Sequence, residues 1–137
     1  MLDEARIRDL LIGSCHSSKE AQIFFEAHRN DHEVLDLLIR IAKDEEDYGG
    51  DAPMQAAYFA SQFPGHLLLP YEAELRAMLP VVRGYGGHVA LALGKTKSIA
   101  GKEAILNELG DGTRFDAWLF RQALSQYPEI DTKRSQT

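Results

Sequence analysis

Cysteine is almost missing from this chain. The single Cys15 cannot close an internal bridge, which excludes a disulfide-stapled scaffold and suits a reducing compartment. Apolar residues nowhere run for the roughly 18 positions that a bilayer-spanning helix needs, so no membrane span is expected. The opening residues Met1-Leu-Asp-Glu-Ala-Arg6 lack the basic segment and apolar run of a secretory signal, and a cytoplasmic location is the expectation. Positive charge is scarce as well. Fifteen Lys and Arg face 21 Asp and Glu, giving a net charge of −6 and a pI near 5.3. Phosphate binding requires a positive field, so nucleic acid is not an expected partner. The 137 residues suffice for one domain that buries a core without staples.

What the chain does contain is an internal register. Moving Phe59, Ala60 and Phe63 forward by thirty residues lands on Val89, Ala90 and Leu93, and a second step lands on Leu119, Phe120 and Ala123. Ala57, Gly87 and Ala117 keep a small residue at the same place, where a neighbouring helix can approach closely. Leu69, Leu75 and Leu79 map onto Ile99, Ile105 and Leu109 at the same shift. A fixed spacing of this size marks stacked helical pairs, each unable to bury its apolar face alone.

The run Ala90-Leu-Ala-Leu-Gly-Lys95, a short connector and Ala104-Ile-Leu-Asn-Glu-Leu109 together resemble a HEAT-type repeat of the short bacterial kind. The copy from Met54 to Leu79 is similar, with Phe63-Pro64-Gly65 where that family has Leu-Gly. The resemblance covers about residues 52–126. It implies an all-α fold, a right-handed α-solenoid or α-α superhelix of about seven or eight helices. Residues 1–47 would be N-terminal capping helices, residues 51–126 the HEAT-like pairs, and residues 128–137 a flexible tail.

In chain order, Ile7, Leu10 and Leu11 define a first helix, and Ala21, Phe24, Phe25 and His28 recur at helical spacing in a second. Asn30, with Glu33 three residues on, is the expected cap of a third helix running to about Glu46. A fourth is expected from Asp51 to Phe63. Leu67 to Leu69 form a connector, and Pro70 opens a fifth helix that stops or kinks at Pro80. Arg83 to Gly87 are expected as a loop before a short sixth helix, His88 to Leu93. The seventh runs from Ser98 to Gly110, and Thr113 caps an eighth whose Phe115, Trp118 and Leu119 are expected to pack.

Negative charge concentrates at Asp44-Glu45-Glu46-Asp47, followed by Tyr48 and Asp51. Such a run is either a solvated helix end or a docking patch for a basic protein. With Tyr85, these residues are the partner-binding candidates. Tyr48, Tyr58, Tyr71 and Tyr85 either line one edge of a binding surface or sit in the core with hydroxyls reaching water. Small acidic helical proteins of this kind resemble bacterial immunity or antitoxin-type inhibitors by analogy, which implies a non-catalytic binder that masks a basic protein partner.

Catalytic motifs fail on spacing. Gly94-Lys95-Thr96 ends like a phosphate-binding loop, but the required earlier glycine is Val89, and the same residue breaks the dinucleotide pattern begun at Gly84. Cys15 and His16 are adjacent in sequence and diverge. No catalytic residue, resident metal or cofactor is therefore expected. The alternative reading is a small metal-dependent or hydrolytic enzyme using His28, His32 and the carboxylates of Asp31, Glu33 and Asp36, provided that one continuous helix carries both imidazoles.

Overall fold

The computed structural model describes residues 3–14, 19–44, 51–82 and 84–127. It is all-helical over these residues: α1 (Glu4–Ser14), α2 (Lys19–Ala27), α3 (His32–Ala42), α4 (Asp51–Ala60), α5 (Gly65–Leu68), a 3-10 turn (Leu69–Tyr71), α6 (Glu72–Met78), α7 (Gly86–Thr96), α8 (Ile99–Leu109) and α9 (Ala117–Leu124). The run Glu45–Asp47 and Tyr48 lie outside the described residues, as does the tail 128–137.

Cap chemistry fixes several boundaries. Asp31, rather than Asn30, is the cap of α3: its backbone is extended and its carboxylate accepts the Glu33 N–H at 3.0 Å, while Asn30 belongs to the preceding turn. Ser98 caps α8 as its sequence implies, accepting the Gly101 N–H at 2.9 Å. Gly110 closes the same helix at φ 57°, a conformation that glycine adopts without a Cβ penalty. Beyond α4, Ser61 donates to the Tyr58 carbonyl at 2.6 Å, and Phe63 stays buried in the following turn.

Several elements depart from the sequence reading, and α3 ends at Ala42 and α4 at Ala60, short of the expected bounds near Glu46 and at Phe63. The connector after Pro64 forms the single-turn α5, and Gly86 and Gly87 form the first turn of α7 instead of a loop. The reason for the second lies far along the chain. Asp116, just before α9, accepts the Gly87 N–H at 3.1 Å and thus supplies the acceptor that no residue next to α7 provides. Thr113 instead closes a local turn, with its hydroxyl 2.7 Å from the Asp111 carboxylate, and α9 starts later than expected. Its inward residues are therefore Ala117, Phe120 and Ala123, and Phe115 (77% exposed) and Trp118 (63% exposed) face solvent. The expected packing of Phe115 and Trp118 does not occur.

One apolar cluster extends from Ile7 on α1 to Tyr127 after α9. α4 packs against α1, α3 and α7, and α7 packs against α4, α5, α6, α8 and α9. Close approach requires the glycines of α7. A Cβ on Gly87 would lie 2.5 Å from Leu119, and one on Gly94 would lie 2.7 Å from the backbone oxygen of Ala123. Burial follows the thirty-residue spacing at several positions but not at Leu119 and Leu109, which are half-buried where Phe59, Val89 and Leu79 are buried. Ala57, Gly87 and Ala117 are buried, as are Phe63, Leu93 and Ala123, whereas Leu69 and Ile99 are both exposed. Leu75 and Ile105 are both buried.

Candidate functional site

Carboxylates gather where α1 meets α3. Asp3, Glu4, Glu33 and Asp36 line a cleft of about 530 Å³ with His32, Leu37, Arg40 and Tyr71. The amphipathic pattern of α3 produces half of it: Val34, Leu35 and Leu38 point into the core, which leaves Glu33 and Asp36 on the outer side. Two internal bonds hold the wall in place, as Arg40 and the Tyr71 hydroxyl both reach the Asp36 carboxylate, at 2.8 and 3.1 Å. Burial, then the negative charges of Asp36 and Glu74, push the Tyr71 phenol up to about 12.

Asp44, the first residue of the acidic run, is tied to α1. Arg8 reaches its carboxylate at 2.6 Å and Glu4 at 3.1 Å, so this guanidinium joins the end of α3 to the cleft rim. Asp51 opens α4. Tyr85 is a core residue, 6% exposed, whose hydroxyl donates to the Ala42 carbonyl at 3.0 Å. Its ring borders a smaller apolar cleft with Met78, Val81 and Val82, next to the Lys43–Glu74 ion pair at 2.6 Å. The structure thus makes Tyr85 a core residue with its hydroxyl bonded inside the protein, whereas Asp44, grouped with it on sequence grounds, is half-buried and paired with Arg8.

His28 and His32 do not share a helix. α2 ends at Ala27, residues 28–30 turn, and His32 begins α3. His28 stacks on Phe24 with ring centres 4.2 Å apart and places Nδ1 2.8 Å from the Phe24 carbonyl, while His32 lines the acidic cleft. Among the described residues, no group of three or more His, Cys, Asp or Glu side chains could hold a metal ion. Lys95, at the end of α7, donates to the Phe63 carbonyl at 3.2 Å.

Two ion-pair assemblies stabilise the frame behind these surfaces. The Asp116 carboxylate bonds Arg114 besides the Gly87 N–H, and Arg114 lies over the Phe120 ring. On α6, Glu72 binds Arg76 at 2.6 Å and accepts from the Ser98 hydroxyl at 2.8 Å, joining α6 to the cap of α8. The Arg76 bond, followed by the Ser98 bond and the Arg76 charge, holds the Glu72 carboxyl below its ordinary value against the opposing effect of burial.

Sequence reasoning grouped His32, Glu33 and Asp36 only with His28 as a metal-site alternative, and did not join them to Asp3, Glu4 and Tyr71 because it sought a docking patch as a consecutive run of charge. The available signal was Glu33 and Asp36 on the polar side of a strongly amphipathic α3. It named Tyr58 as a surface candidate but missed its grouping with His88 and Trp118, spaced thirty residues apart, which line one groove across α4, α7 and α9. Comparison of the chain with protein-family models, curated proteins and solved structures yields no match. No helix among the described residues is long and apolar enough to cross a membrane.

Proposed function

We propose that this chain is a non-catalytic, protein-binding α-solenoid built of HEAT-like helical pairs, whose acidic face covers a basic protein partner in the cytoplasm. The four-carboxylate cleft between α1 and α3 carries this reading. Among the described residues Arg40 is its only Lys or Arg lining residue, and the cleft rim connects through Glu4 and Arg8 to Asp44, where the acidic run begins. Such a surface speeds encounter with a positively charged protein and penalises acidic competitors. The thirty-residue recurrence of burial supports the helical-pair architecture. By analogy, masking of a partner's active surface is the mode of bacterial immunity and antitoxin-type inhibitors, which small acidic helical proteins resemble.

The test is affinity capture from a lysate of the producing cell, with salt-step elution and mass spectrometry. The expected result is one basic protein that binds the wild-type chain, elutes with salt, and is lost when Glu33, Glu45, Glu46 and Asp47 are changed to Lys. Asp44 is kept because it holds Arg8. Recovery of the same proteins by wild type and variant would refute the assignment of the face.

A further inference from the structure

A second surface, chemically opposite to the acidic cleft, runs across α4, α7 and α9. Tyr58, near the end of α4, and His88 and Trp118, in the first turns of α7 and α9, lie thirty residues apart in sequence and line a groove of about 450 Å³. The rings of Tyr58 and His88 meet edge to face at 5.5 Å, and Trp118 remains 63% exposed. Leu91 and Leu119 give the groove an apolar floor.

Its charge is opposite to that of the acidic cleft. Arg29 and Lys95 line it, and no Asp or Glu does among the described residues. Among the described residues the Arg29 guanidinium reaches only the neutral Gln62 amide, at 3.1 Å, and the Lys95 ammonium only the Phe63 carbonyl. Neither has a carboxylate within ion-pair distance among the described residues. Burial, with the nearby charge of Arg29, lowers the pKa of Lys95, so an incoming anion would relieve repulsion between two cations already held together. In a chain of net charge −6, two cations with no carboxylate in ion-pair reach among the described residues stand beside an exposed indole.

We propose that this groove binds an acidic polypeptide segment, with an Asp or Glu carboxylate at Arg29 and Lys95 and an adjoining apolar side chain against Trp118. Charge complementarity selects the carboxylate, and the indole supplies contact area at low entropic cost. Nucleic acid is the disfavoured occupant, because two cations in a strongly acidic protein give too weak a positive field for a phosphate backbone.

Trp118 is the only tryptophan, so its emission reports directly on the groove. The experiment pans a random-peptide display library against the intact chain and titrates the recovered peptides while following that emission. Enrichment of Asp or Glu beside Leu, Phe or Trp is expected, with a shift of Trp118 emission on binding. Affinity should fall about ten-fold or more in Arg29→Gln. The exposed variant Gln122→Glu, which adds a like charge to the groove without touching the core, should weaken binding as well, whereas Glu33→Lys on the acidic cleft should not. Recovery of no peptides, peptides without acidic enrichment, wild-type affinity in both groove variants, or an emission response to oligo-dT in place of the peptides would overturn the proposal.

Discussion

Gly94→Ala should destabilise this protein, although alanine is the better helix former. Replacing an interior helical glycine by alanine normally stabilises by about 0.5–1 kcal/mol, because it restricts the unfolded chain and favours helix. At Gly94 the new Cβ would stand 2.7 Å from the Ala123 backbone oxygen and 3.2 Å from its Cα. Both contacts are with backbone, so no rotamer change relieves them, and α7 and α9 must separate by several tenths of an ångström. Overpacking of a tight contact costs about 1–3 kcal/mol. The net expectation is a loss of about 1–2 kcal/mol, or about 2–8 °C in Tm. Urea unfolding of Gly94→Ala beside wild type reads the midpoint, with an unchanged slope required for a pure stability effect. Ala100→Gly, at an exposed position of α8, measures the propensity term alone and should cost about 0.5–1 kcal/mol. A midpoint raised by Gly94→Ala would refute the close approach of α7 and α9.

Three further outcomes are expected. Asp116→Ala should cost about 2–4 kcal/mol, read by the same unfolding assay, because Arg114 and the Gly87 N–H both lose a buried acceptor. The Glu72 carboxyl titrates below its unfolded value, so its contribution is complete above about pH 4.5 and is lost as pH falls through the folded pKa; Glu72→Gln should flatten the acid limb of a stability-pH curve. Burial pushes Tyr71 and Tyr127 up to about 12, so their contribution is complete below pH 10 and is lost as pH rises toward 12; ultraviolet titration should find both among the last phenols to ionise.

Locally encoded features were the legible ones. The apolar stripe of α3, the Ser98 cap of α8 and the glycine stop at Gly110 each depend on neighbours within a helical turn, and each occurs where the chain implies it. The start of α7 was illegible because its acceptor, Asp116, lies twenty-nine residues beyond Gly87. That same placement shifted α9 and turned Trp118 outward. In the candidate site, the acidic run was visible as composition, but its link through Asp44 to Arg8 and Glu4 spans thirty-six residues and needed the fold. Cap position also decided the fate of the two histidines. With Asp31 capping α3, the chain turns between His28 and His32, and the four-residue spacing loses its meaning.

The most direct test of the acidic-face account is the association rate of the captured basic partner, measured at rising ionic strength for wild type and for the chain with Glu33, Glu45, Glu46 and Asp47 changed to Lys. Steering by the acidic face predicts a wild-type rate that falls steeply with salt, and a variant rate at least about ten-fold lower at low salt with a flattened dependence. Equal rates and equal salt slopes for the two chains would contradict the account.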